Sequence, residues 1–172
     1  SKAIIHNSQK YYPLYSQREF TYNNIKQGNR NVLLYSDKTV DGLKTGHTND
    51  AGFCLAASSK RGNMRLISVI LGTKSAEERG KQSRELLDWG FGHFATKVAA
   101  PANQMMGTIP VKYGQADAVN VVTQNNLQVL LPKIEEDNVK TVVSLNPNVA
   151  APVKAGQPVG KMTATLNGKP VA

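Results

Sequence analysis

The sequence holds one cysteine, Cys54, among 172 residues. A single thiol excludes an intrachain disulfide framework and a cysteine-built zinc site. Acidic residues are in deficit, 12 against 21 Lys and Arg, for a formal net charge of +9. The basic residues come singly, without a run of five or six and without a nucleic-acid-binding motif. They read as a solvated basic surface, or one attracted to anionic wall or membrane polymer, rather than as a phosphate-binding patch. No stretch approaches the roughly 18 apolar residues that a membrane-spanning helix needs. His6 and His93 have no partner at metal-ligand spacing, so no metal is expected. The chain opens on Ser1, without Met and without a basic-then-apolar leader, and reads as a mature chain or a piece of a longer one.

What is present is unevenly spread. Residues 1–100 carry 15 basic and 8 acidic side chains, a net of +7. Ten of the eleven aromatics also lie there, and only Tyr113 lies beyond. The later residues are rich in Val, Asn, Gln and Pro. This break suggests a domain boundary near residues 97–108, with Ala99-Ala100-Pro101-Ala102-Asn103 as linker.

Hydrophobic periodicity sketches the elements. Residues 1–31 read as irregular, with turn signals at Asn23-Asn24 and Gly28-Asn29. Val40 to Gly46, Phe53 to Ser59 and Met64 to Leu71 read as strands, the last two joined into a hairpin through Lys60-Arg61-Gly62-Asn63. Ser75-Ala76-Glu77-Glu78 is a capping box opening a helix. Its expected apolar side is Leu86, Leu87, Phe91 and Phe94, with Gly90 and Gly92 marking a frayed end. Beyond it, strands are expected at 108–113, 118–123, 127–131, 140–145 and 159–166, a small all-β sandwich.

One constellation carries chemistry: Lys44-Thr45-Gly46-His47-Thr48, on a strand that precedes a hairpin and a helix. Lys44 sets a positive charge that can hold a carboxylate, and the Thr45 hydroxyl can join it. Gly46 lets a substrate backbone lie against the strand as an added ribbon. Cys54, within a strand, reads as a buried apolar residue.

Lys-Thr-Gly in this setting, with Val40-Asp41-Gly42-Leu43 before it, Ala51-Gly52-Phe53 after it, Arg65-Leu66-Ile67-Ser68 and Leu86-Leu87-Asp88-Trp89-Gly90-Phe91, resembles the low-molecular-mass penicillin-binding proteins. So does Ala151-Pro152-Val153-Lys154-Ala155-Gly156-Gln157-Pro158 near the end. These are the serine-type D-alanyl-D-alanine carboxypeptidases of bacterial cell-wall metabolism. The resemblance implies an α/β (α+β) transpeptidase-like domain, here its C-terminal portion over residues 1–97, an antiparallel sheet edge plus a helix. A small β-rich domain, incomplete at its end, would follow over residues 98–172.

It also implies removal of the terminal D-alanine from a peptidoglycan stem pentapeptide through an acyl-enzyme, inhibited by β-lactams. No cofactor is implied. Lys44 would be catalytic, and Lys44, Thr45, Gly46 and His47 would bind substrate. The backbone N–H of His47 would face a developing oxyanion, its ring being less suited to catalysis. The family uses an arginine near the first helical turn to hold the terminal carboxylate, which makes Arg79 a candidate and Arg30 an alternative. Implied partners are a stem peptide ending in D-Ala-D-Ala, β-lactams, and an N-terminal piece of the same protein. The membrane surface would be met through a C-terminal helix absent here, and nucleic acid is not among the partners. The implied location is the periplasm, peripheral to the inner membrane.

Two family motifs are missing. No lysine here has serine three residues before it, so there is no Ser-x-x-Lys bearing nucleophile and base. The sole Ser-x-Asn, Ser144-Leu145-Asn146, follows Lys-Thr-Gly instead of preceding it and reads as coincidence. This chain alone is therefore expected to be inactive. Three other readings stay open: a non-catalytic periplasmic module binding cell wall or a partner, a basic nucleic-acid binder, and a β-lactamase, against which the appended β domain counts.

Overall fold

The computed structural model describes all 172 residues. They divide into two units, Ser1–His93 and Phe94–Ala172. No helix is long and apolar enough to cross a membrane.

The first unit begins with helix α1 (Lys2–Asn7) and a 3-10 turn (Tyr12–Ser16). Pro13 sits at the start of that turn, where its fixed φ suits and its missing N–H costs nothing. Strands β1 (Glu19–Tyr22) and β2 (Ile25–Gly28) then form a hairpin. Its two-residue loop is Asn23-Asn24, both at positive φ, 48° and 60°, as a turn matched to strand twist requires. The turn was legible in the sequence; the strands, expected as irregular chain, were not. All eight strand residues are exposed, so no alternation marks them.

A short helix α2 (Leu33–Ser36) buries Leu33 and Leu34. Strands β3 (Val40–Thr48), β4 (Gly52–Arg61) and β5 (Met64–Thr73) follow as an antiparallel sheet in the order β3-β4-β5, which leaves β3 at an edge. Helix α3 (Ala76–His93) covers it. Leu87 packs in one cluster with Leu33, Leu34, Val40, Leu55 and Ala57, with Leu66 and Phe91 against it.

The expected helix stripe is corrected on two points. Leu86 is largely exposed and Phe94 belongs to the next strand; the buried positions are Arg79, Gly80, Ser83, Leu87 and Gly90. Small residues let the helix approach the sheet closely: a Cβ on Gly90 would come within 2.6 Å of Leu66 Cδ1. Gly90 therefore marks close packing, not a frayed end, and the helix runs on to His93. At its start, Ser75 Oγ accepts the Glu78 N–H at 3.0 Å as the capping box expects. The returning Glu78 carboxylate accepts from Lys74 N–H at 3.1 Å, one residue earlier than expected.

The second unit is all strand apart from one 3-10 turn (Lys133–Asn138). In chain order the strands are β6 (Phe94–Ala100), β7 (Met105–Lys112), β8 (Ala118–Val122), β9 (Leu127–Pro132), β10 (Val139–Leu145), β11 (Val149–Ala150), β12 (Gly160–Leu166) and β13 (Lys169–Pro170). They pair as β6-β9, β11-β7-β8 and β10-β12-β13. One apolar cluster centres on Ile109, Val121 and Val149, another on Val129, Leu131 and Ala164.

Ala99 and Ala100, expected in a linker, end β6 instead. Its residues pair with β9 in the register Ala95↔Leu131 to Ala100↔Leu127, and Ala100 is 2% exposed. A strand that is largely half-buried and ends in Ala99-Ala100 carries little apolar alternation. The composition break therefore falls after the first strand of the second unit, and Phe94 to Lys97 lie within that unit.

Candidate functional site

Strand β3 displays the Lys-Thr-Gly motif along an edge with no strand partner on its outer side. Lys44, Gly46 and His47 are exposed and Thr45 is half-buried. In this conformation Lys44 Nζ donates to the Thr45 carbonyl. On the inner side β3 pairs with β4 in the register Lys44↔Ala56, Thr45↔Leu55, Gly46↔Cys54 and His47↔Phe53. Leu55 is 1% exposed, so the motif is backed by the core of the sheet. The His47 ring lies tilted against Phe53 across the strands, with centroids 3.9 Å apart and an interplanar angle of 31°.

Arg79 reaches this strand from α3. It is 4% exposed, with its Cζ 5.6 Å from the Phe53 ring centroid. Nη1 donates to the carbonyls of Gly46 at 3.3 Å and Cys54 at 3.4 Å, and Nη2 to that of Arg30 at 2.8 Å. Nε has no partner. Burial lowers the guanidinium pKa, with the charge of Arg30 acting in the same direction against an opposing influence of Cys54. Arg79 thus ties the end of the motif to β4 and to the segment before α2. A ligand carboxylate would have to draw Nη1 or Nη2 from a carbonyl or use Nε. Arg30 meets this group through its carbonyl.

Cys54, expected to be buried, is half-buried. Its Sγ lies 3.5 Å from the Ala51 carbonyl oxygen and 3.8 Å from that of Gly52.

The start of the same strand is held by residues that the sequence reading did not select. Arg65 on β5 grips Asp41 with both arms, Nη1 to Oδ1 and Nη2 to Oδ2, each at 2.7 Å. Nη1 also donates to Ser58 Oγ at 2.6 Å and lies 3.2 Å from the Tyr12 hydroxyl, which itself donates to Asp41 Oδ1 at 2.7 Å. Burial pushes the Asp41 carboxyl up, but hydrogen bonds from Arg65, Tyr12 and Ser58 and the Arg65 charge outweigh it, and its pKa is lowered. The Tyr12 phenol is raised by burial, with Asp41 adding to the rise and a hydrogen bond with Ser58 opposing it. Asn31, 1% exposed, donates to the Gly42 carbonyl at 3.0 Å. No local motif signals these contacts, because Asp41 and Arg65 are 24 residues apart.

Chemically, the arrangement is an open strand edge carrying an ammonium, a hydroxyl and a residue without a side chain, on a backbone fixed at both ends. Such an edge can take an extended peptide with a terminal carboxylate. Among the 172 residues, no serine-lysine pair at nucleophile-base spacing stands with it.

Residues 1–75 match the family model of the D-alanyl-D-alanine carboxypeptidases, and residues 94–172 match that of the penicillin-binding protein 5 C-terminal domain. The D-alanyl-D-alanine carboxypeptidase DacD of Escherichia coli is 41% identical over 175 residues, covering 100% of this chain and 45% of the relative. Penicillin binding protein 5 from Haemophilus influenzae superposes with a TM-score of 0.76 at 39% identity, over 99% of this chain and 50% of that one. Penicillin binding protein 6B from Escherichia coli superposes with a TM-score of 0.64 at 35% identity, over 99% and 45%. The chain spans about half the length of these relatives or less.

Proposed function

The chain belongs to the low-molecular-mass penicillin-binding proteins, and on that premise we propose that it is the Lys-Thr-Gly-bearing part of a serine-type D-alanyl-D-alanine carboxypeptidase. In this reading the nucleophile and base, a Ser-x-x-Lys pair, lie in sequence outside residues 1–172, and this chain alone is inactive. The observation that carries it is the Lys44-Thr45-Gly46 motif on the open edge of β3.

A stem peptide ending in D-Ala-D-Ala lies along that edge as an added strand. Lys44 and Thr45 hold its carboxylate, and Gly46 leaves room for its backbone. The serine oxygen attacks the penultimate D-alanine carbonyl, and the backbone N–H of His47 is one of the donors to the oxyanion. The C–N bond breaks, the leaving D-alanine amine takes a proton, and water then hydrolyses the acyl-enzyme. β-Lactams acylate the same serine. Arg79 holds Gly46 and Cys54 in place through their carbonyls, and a direct bond to the carboxylate would come through an exchange of those partners. A cell-wall peptide as substrate supports a periplasmic location.

The test is D-alanine release from a peptide ending in D-Ala-D-Ala, by this chain alone and by a polypeptide joining it to the Ser-x-x-Lys segment. The joined polypeptide is expected to release D-alanine and the 172-residue chain none. Absence of release by the joined polypeptide would overturn the reading.

A further inference from the structure

The reach of the motif depends on register. Along a strand successive side chains alternate faces, so a slip of one residue would exchange the faces shown by Lys44 and Thr45. β3 is exposed to such a slip because it has only one strand neighbour. The slip also has a place to start: the β3–β4 pairing is irregular between Val40 and Gly42.

Asp41 sits at that irregularity, three residues before Lys44. Its carboxylate is tied by a two-armed contact to Arg65, which lies not on neighbouring β4 but on β5 beyond it. Arg65 is in turn fixed through Ser58 of β4, a residue 0% exposed. Tyr12 closes the group from the 3-10 turn. A Cβ on Gly42 would meet the Tyr12 hydroxyl oxygen at 3.2 Å and Tyr15 Cβ at 3.4 Å, so this part of β3 is also confined from outside the sheet.

We propose that the Asp41–Arg65 pair, closed by Tyr12, is the register pin of the Lys-Thr-Gly strand: Asp41 and Arg65 are positioning residues for carboxylate recognition. The function of the pin rests on the carboxypeptidase reading; its existence in this chain does not. A planar guanidinium that meets both carboxylate oxygens fixes direction as well as distance, which an ammonium cannot do.

The two layers are tested separately. In the 172-residue chain, amide resonances of Lys44 to His47 are compared in the wild type, Asp41→Asn, Arg65→Lys and the milder Tyr12→Phe. The pin predicts displaced Lys44–His47 resonances in Asp41→Asn and Arg65→Lys and smaller displacements in Tyr12→Phe, with resonances of the second unit unmoved. Should Asp41→Asn fail to fold, Arg65→Lys and Tyr12→Phe decide. Unmoved Lys44–His47 resonances in folded variants would overturn the pin.

In the joined carboxypeptidase, Asp41→Asn is assayed at a temperature where Trp89 fluorescence reports a folded protein. The expectation is a fall of about 10²-fold in kcat/KM, the scale of an ångström-size misplacement. Most of it should appear as a raised KM for the carboxylate-ended peptide, and Arg65→Lys should retain part of the activity. A folded variant with unchanged KM would overturn the positioning role. Absence of activity in the wild-type joined protein would instead overturn the carboxypeptidase reading and leave the amide result standing.

Discussion

The two units of this chain bury different things. In the first, Asn31, Ser58, Ser59, Ser68, Thr73, Arg79 and Ser83 lie buried among the aliphatic side chains. In the second, the buried residues are Ala100, Ile109, Val121, Val129, Leu131, Val149 and Ala164, all apolar. The ion pairs Lys26–Glu19, Arg61–Asp37, Arg61–Asp88, Arg65–Asp41 and Lys81–Glu85 also lie in the first unit. An apolar core fixes a shape at little risk, because packing is tolerant of detail. Buried polar groups are costly unless partnered, and partnered they specify one arrangement. The first unit sets polar groups around β3, where buried Asn31 and Arg79 and half-buried Asp41 act on the strand that carries Lys44.

The strongest way to break this contrast is through the two cores. Leu55→Ala and Leu131→Ala each remove a nearly fully buried side chain, 1% and 2% exposed. Each should cost its own unit about 2–5 kcal/mol. Urea unfolding read by Trp89, the sole tryptophan and in the first unit, should shift for Leu55→Ala and not for Leu131→Ala. A shift for both would show that the units unfold together.

Next in size is Lys44→Ala. The residue is exposed, so stability should be unchanged. Carboxypeptidase activity of the joined polypeptide should fall by about 10- to 100-fold, on the order of a lost charge-assisted hydrogen bond. Equal activity would remove Lys44 from the site.

Acid should weaken the first unit. The Asp41 pKa is lowered although burial opposes it, and so is that of Asp37, where hydrogen bonds from Thr39 and the charges of Arg61 and Arg84 outweigh burial. Folded values below the unfolded ones mean a stabilisation complete above the ordinary carboxylate pKa and lost as pH falls through the folded values. Thermal melts at successively lower pH should therefore lower the Trp89-reported midpoint. Asp41→Asn and Asp37→Asn together should flatten that dependence; an unaltered slope would contradict the assignment.

The smallest effect is at the helix cap. Ser75→Ala removes the acceptor for Glu78 N–H and should cost the first unit about 1 kcal/mol in denaturant unfolding. A neutral substitution would mean that solvent satisfies that amide equally well.

Local signals were readable in the sequence where chemistry is local. The β4–β5 hairpin, the Ser75 cap and the Asn23-Asn24 turn each depend on residues within a few positions of one another. β6 escaped because Ala95, Ala99 and Ala100 give no apolar alternation, although β9 pairs with them. The buried side of the helix includes Gly80, Ser83 and Gly90, residues that a hydrophobic pattern does not count; Gly90 lies against Leu66 of β5 and Gly80 against Val32 before α2. At the site, Lys44-Thr45-Gly46 stood out as a motif, but its supports did not. Asp41 meets Arg65 over 24 residues and Arg79 meets Gly46 over 33, distances that only the sheet and helix close. Arg79 was a candidate carboxylate holder by resemblance; its three carbonyl partners are visible only in the fold.

In the proposed reading these residues supply the carboxylate-binding strand and not the nucleophile. A fluorescent penicillin tests it most directly, applied to the 172-residue chain and to the polypeptide joined to the Ser-x-x-Lys segment, followed by denaturing electrophoresis. A covalent label is expected on the joined polypeptide and none on the chain alone. A label on the chain alone would contradict it.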